Sequence, residues 1–146
     1  MSINQKQLHL KALETHVLSL SKKLKADDII CFSGPVGVGK TTCIKLLLKA
    51  LGYSQGAISP SFSLLNIYPL THNTQGICDV IHMDWYRLNS KIELEMLDLD
   101  FYLQKKNTLF LIEWAEKFPY IFPRKTKHIK MSFSSKQDER DVRADF

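Results

Sequence analysis

Apolar positions recur at steps of three and four over residues 10–24. Leu10, Leu13, Val17, Leu20 and Leu24 share one helical face, with Lys11, Lys22, Lys23 and Lys25 mainly off it. The pair Asp27-Asp28 ends that pattern, and Ile29-Ile30-Cys31-Phe32 follows as an unbroken apolar run. Such a run marks a strand covered on both faces, as in a parallel sheet. After a glycine-rich stretch, residues 40–52 return to helical spacing, with Ile44, Leu47, Leu48 and Leu51 inward and Gly52 as the stop. Residues 52–60 are polar and turn-rich, 62–69 have a mixed strand pattern, and 71–76 read as a turn. Residues 77–84 alternate as a strand that ends on Asp84. Residues 90–103 predict a short helix, opened by Ser90 with Glu93 three positions later, the spacing of a capping box. Leu109-Phe110-Leu111-Ile112 is a second fully apolar strand, ending on Glu113, and alternation over 128–133 and 140–146 predicts two final strands. The expected architecture is α/β: a mainly parallel central sheet flanked by helices, with a C-terminal β-hairpin.

Length narrows this to one domain over residues 1–146, since domains run to about 100–200 residues. An apolar share of 45% with 24% charged residues excludes a disordered or coiled-coil chain. No apolar run approaches the roughly 20 residues of a membrane span, and the first residues lack a basic-then-apolar secretory pattern. Cys31, Cys43 and Cys78 form no CxxC pair, so reduced, largely buried thiols and a cytoplasmic location are expected. The net charge of +5 is uneven. Residues 1–49 carry eight lysines against three acids, residues 79–100 six acids against two bases, and residues 101–130 are basic again. Attraction to RNA or to an acidic partner and plain solvated lysines both fit that balance.

The chemistry lies between the first strand and the second helix. Gly34-Pro35-Val36-Gly37-Val38-Gly39-Lys40-Thr41 is a complete G-x-x-x-x-G-K-T, with a buried strand before it and a helix after it. Glycines let successive backbone N–H groups point into one concavity, and the helix that follows adds its positive end. The lysine reaches β- and γ-phosphates, and the threonine hydroxyl suits Mg²⁺. This pattern makes the domain a P-loop NTPase. A metal-side or water-orienting carboxylate belongs at the end of a neighbouring strand, where ligands bind in such sheets. Glu113 and Asp84 both qualify, and Glu113 ends the more apolar strand. His82 faces the same side as Asp84, with a structural role as the plainer reading. Ser59, Ser61 and Ser63 around Pro60 fit either a γ-phosphate-sensing loop or an ordinary serine-rich turn.

In order, the loop at 34–42, Ser59-Pro60-Ser61-Phe62-Ser63, His82-x-Asp84-x-Tyr86-Arg87-Leu88, Glu93-Leu94-Glu95 and Ile112-Glu113-Trp114 resemble the TsaE (YjeE) family. That resemblance covers the chain from about Glu14-Thr15 to Arg140. It implies the Mg-dependent ATPase component of bacterial tRNA threonylcarbamoyladenosine modification at adenosine 37, weak alone and acting with TsaB and TsaD. It also implies that Thr41 and Glu113 ligate Mg²⁺, that Lys40 binds phosphate, and that Asp84 belongs to the catalytic or metal shell. Gly37, Val38, Gly39, Thr42, Ser61 and Trp114 would contact ATP or form its switches, with Thr15 and Arg140 nearby. Contact with tRNA would be indirect. Four departures stand out: Ser61 replaces a usual threonine, Pro35 an acid, Ala115 a proline, and Glu139 a glycine.

Two other classes remain compatible with the loop. A small-molecule kinase would normally bring several lid arginines, and this chain has four arginines and no arginine-rich insert. An ATP-dependent docking protein with little hydrolysis would keep the loop alone. A GTPase lacks support, because no N-K-x-D segment occurs.

Overall fold

A strand whose residues are all apolar has to be covered on both faces, and two such strands organise this molecule. The computed structural model describes residues 3–122 and 124–146, with the backbone alone for residues 3–7. Strands β1 (Ile3–Leu8), β2 (Ile29–Ser33), β3 (Leu65–Pro69), β4 (Asp79–Asp84), β5 (Thr108–Glu113), β6 (Lys127–Phe133) and β7 (Arg140–Ala144) form one sheet. Its order is β1-β7-β6-β2-β5-β4-β3. The four central strands β6, β2, β5 and β4 run parallel, as the apolar runs predict. The edges are antiparallel: β3 on β4, and the expected β6–β7 hairpin with β1 beyond it.

Alternate residues of the central strands feed two cores. Ile30 and Phe32 of β2 join Leu109 and Leu111 of β5 and Val80 of β4 in one. Against them pack α1 (Leu10–Ser21) through Leu13, Val17 and Leu20, and α2 (Lys40–Ala50) through Ile44, Leu47 and Leu48. Ile29, Cys31, Phe110, Ile112, Ile81 and Met83 point the other way, towards Leu94 of α3 (Lys91–Glu95) and Leu99 and Leu103 of α4 (Leu99–Leu103). Trp85 closes this second core, fully buried and stacked on Phe122 at 5.6 Å between ring centres.

Several expectations are revised. Strand β1 carries no sequence signal, because INQKQL has an apolar residue only at each end, and backbone pairing with β7 places it. Residues 90–103 form two short helices rather than one. Leu94 and Leu99 are five residues apart, which on a continuous helix would set them about 140° apart. A left-handed Asp98 (φ 52°) breaks the helix and returns both leucines to the same core. The capping box is half made: the Glu93 amide donates to the Ser90 hydroxyl at 3.2 Å, but the Glu93 carboxylate accepts from Asn89 N–H at 2.6 Å. Leu10, expected inward, is the exposed first residue of α1, which His9 caps. Cys31 and Cys43 are buried, whereas Cys78 is exposed. Among the described residues no helix is long and apolar enough to cross a membrane.

Gly34, just past β2, lies under the Met131 carbonyl of β6. A Cβ there would stand 2.3 Å from that oxygen, at a φ of +140° that L side chains rarely adopt. Gly34→Ala is therefore expected to lower unfolding free energy by at least about 2 kcal/mol, checked by urea denaturation. His16 is buried on the inner face of α1, and its Nε2 lacks a hydrogen-bond partner among the described residues. Burial holds its pKa below the ordinary 6.5. Below pH 6.5 the unfolded chain takes up a proton that the folded His16 resists, so this residue makes stability fall with acidification. His16→Leu should lose less stability than the wild type between pH 7.5 and pH 5.5, and equal losses would refute the assignment.

Candidate functional site

The residues expected to carry chemistry meet at the carboxyl edge of the parallel strands. The chain leaves β2 at Ser33 and enters α2 at Lys40 through a loop with positive φ at Gly34, Gly37 and Gly39 (140°, 77° and 106°). Gly39 caps α2 in the left-handed conformation, and among the described residues no side-chain cap hydrogen bond forms there. Those amides and the helix's positive end make a site for an anion.

Lys40 is 4% exposed, and its Nζ donates to the carbonyls of Gly34 at 2.7 Å and Pro35 at 3.0 Å. Its ammonium also lies 4.2 Å from the centre of the Trp114 ring. Burial pushes the Lys40 pKa down, opposed by the negative charges of Glu113, Glu116 and Asp84. Thr41, one residue on, donates its hydroxyl to Glu113 at 2.8 Å and 3.0 Å from the two carboxylate oxygens. Glu113 is 3% exposed, and its Oε1 lies 2.8 Å from Nε2 of the fully buried His82.

Asp84 ends β4 directly opposite Glu113 in the parallel β4–β5 register. Its Oδ1 accepts from the Tyr86 N–H at 3.0 Å and its Oδ2 from the Ser61 hydroxyl at 3.2 Å. Ser61 in turn shares a hydrogen bond with Ser59 at 2.7 Å. The serine loop is thus tied to the strand-end carboxylate.

Together these groups border a cleft of about 420 Å³. Gly37, Gly39, Lys40, Thr41, Thr42, Ser61, Asp84, Glu113 and Trp114 all line it. Three expected residues do not. Val38 is buried beneath the loop, and its carbonyl accepts from Nε of Arg140 at 3.1 Å. Arg140 donates further to the carbonyls of Gln137 and Glu139, so it braces the loop from outside the cleft. Thr15 is exposed on α1, with its hydroxyl turned to Lys11 O at 3.2 Å. The sequence reading missed the His82–Glu113 contact. Its signal was present in the two-residue spacing of His82 and Asp84, which sets both on one strand face. Tyr86 and Arg87, which the resemblance includes in its His82–Leu88 block without a role, stand exposed at the lip of the cleft.

Residues 8–142 match the family model described as Threonylcarbamoyl adenosine biosynthesis protein TsaE. A curated protein named tRNA threonylcarbamoyladenosine biosynthesis protein TsaE, from Nostoc sp., is 35% identical over 104 residues, covering 69% of this chain and 60% of that protein. One of the same name from Rickettsia bellii is 37% identical over 101 residues, covering 68% and 65%. The match thus spans about three-fifths of the length of these relatives. The crystal structure of Bacillus subtilis YdiB superposes with a TM-score of 0.71 over 99% of this chain and 84% of that one. At 21% identity it supports the fold alone. With the family match running from the end of β1 into β7, the chain belongs to the TsaE family.

Proposed function

We propose that residues 1–146 form one P-loop domain that binds and hydrolyses ATP with Mg²⁺. It would act in the cytoplasm, as an accessory subunit with TsaD and TsaB, in threonylcarbamoyladenosine modification of tRNA. One observation carries this reading: Lys40, Thr41, Asp84 and Glu113 converge on a single cleft beside an uncapped helix N-terminus. Family membership adds the pathway, through the name its relatives bear. Contact with tRNA would pass through the partners.

The geometry divides the work. The loop amides and the start of α2 hold the phosphates, and Lys40 exchanges the Gly34 and Pro35 carbonyls for phosphate oxygens. Mg²⁺ carried by the nucleotide supplies positive charge against the phosphates. Thr41 and Glu113 are the donors that would hold it, and their oxygens already stand 2.8 Å apart. Among the described residues no group of three or more His, Cys, Asp or Glu side chains makes a complete metal site. His82 fixes the Glu113 carboxylate from behind. Asp84 is held by Ser61 and Tyr86, facing the same cleft, where a carboxylate can orient water.

Equilibrium binding of the purified chain should favour Mg-ATP over GTP, and a guanine preference would overturn the adenine assignment. Lys40→Ala should weaken ATP binding by about 10- to 10²-fold, since a hydrogen bond to a charged group contributes about 1.5–3 kcal/mol. Glu113→Ala should reduce hydrolysis far more than binding. Normal hydrolysis by Glu113→Ala together with loss in Asp84→Ala would reverse the ranking of the two acids. Captured from native extract with ATP present, the chain should bring down TsaB and TsaD, and their absence would refute the partner assignment.

A further inference from the structure

Arg87 is the cleft residue to which the proposed reaction gives no part. It is exposed at the lip, and of the four arginines it alone lines the cleft. Arg140 is engaged under the loop, and Arg124 reaches the Leu103 carbonyl on the opposite core. Among the described residues no acid pairs with Arg87 and no hydrogen bond engages its guanidinium. Its contact is the face of Phe62, with the guanidinium carbon 4.4 Å from the ring centre. Stacking of that kind leaves all five N–H donors open.

The backbone beneath Arg87 is fixed although its side chain is not. The Lys117 ammonium donates to the carbonyls on either side, Tyr86 at 2.7 Å and Leu88. The Leu88 amide closes a turn onto Trp85 O at 3.1 Å, and Tyr86 N–H is held by Asp84. The Tyr86 ring packs on Trp114 at 5.1 Å, and Trp114 covers Lys40. Phe62, which carries the guanidinium, follows Ser61, which holds Asp84. One loop therefore sets both the strand-end carboxylate and the free cation.

We propose that Arg87 is a catalytic residue, the arginine that stabilises charge on the transferring phosphoryl group, supplied by the chain itself. This rests on the ATPase reading above. In hydrolysis the water oxygen forms a bond to the γ-phosphorus while the bond to the β,γ-bridging oxygen breaks. The electron pair leaves with ADP, and the water proton passes by way of the cleft carboxylates to solvent. Arg87 exchanges no proton: swung from Phe62, it donates N–H bonds to the γ-oxygens and the bridging oxygen as their charge grows. Lys40 holds charge already present in the ground state, so the two cations do different work.

The test compares the full-length wild type, Arg87→Ala and Arg87→Lys by the affinity for Mg-ADP, its gain on adding fluoroaluminate, and single-turnover ATP hydrolysis. The wild type should bind Mg-ADP with fluoroaluminate at least about tenfold more tightly than Mg-ADP alone, since the complex mimics the transferring group. Arg87→Ala should lose that gain and hydrolyse at least about tenfold more slowly, with ADP affinity within about twofold of wild type. Arg87→Lys, a point charge without the planar fork, should recover part of both. An Arg87→Ala chain that keeps the gain and the rate overturns the inference, as does one that loses ADP binding in parallel. A wild type that binds ADP without any gain overturns it while the nucleotide reading stands, and a wild type that binds neither overturns both.

Discussion

A carboxylate at the end of a strand buried on both faces must have most of its hydrogen bonds met inside the protein, because little of it is open to water. Glu113 is that group, and meeting its demand ties the site together. All six residues of β5 are buried, and Glu113 itself is 3% exposed. Thr41 satisfies it from the first turn of α2, and His82 from the neighbouring strand. The start of α2, the end of β4 and the end of β5 are therefore fixed to one another by a single side chain. Lys40 precedes Thr41 and Asp84 follows His82 by two, so the same constraint sets the lysine and the second acid at the cleft.

Much of this arrangement was legible in the residues because it is local. Four apolar residues followed by an acid place Glu113 at a strand end, and the glycine spacing of 34–39 places the loop between β2 and α2. What escaped depends on partners distant in sequence. Strand β1 has no alternation and exists through pairing with β7. The break at Asp98 is written in the five-residue spacing of Leu94 and Leu99, but only a shared core makes that spacing matter. His82 looks like a core histidine from its own strand, and it is one. Its bond to Glu113 becomes visible only once β4 and β5 are adjacent. Thr15 and Arg140 came from resemblance rather than spacing, and both stand outside the cleft, with Arg140 bracing the loop that lines it.

The charge pattern changes meaning in the same way. The basic stretch after residue 100 fits an RNA-facing surface, an acidic partner and plain solvated lysines alike, and several of its cations serve the fold. Lys117 clamps the turn after β4, and Lys127 pairs with Asp28 at 2.6 Å where β6 runs beside β2. Arg124 reaches back to the Leu103 carbonyl. Lys106, Lys125 and Lys130 remain exposed. Of these contacts only the Lys127–Asp28 pair cancels a charge; carbonyls are neutral, so Lys117 and Arg124 keep theirs while their side chains are held to the fold.

Trp114 joins the two ends of the site by contact. It follows Glu113 directly and holds a left-handed backbone (φ 61°), which is uncommon for a bulky residue. Its N–H donates to Phe32 O at 3.1 Å, so the last step of β2 fixes the backbone in that state. Its ring then lies between the Lys40 ammonium and Tyr86. Lys40 meets this ring as well as its two carbonyls, and the ring's other neighbour adjoins Arg87. The strained residue thus stands in contact with both the phosphate-loop lysine and the residue that precedes the exposed cation.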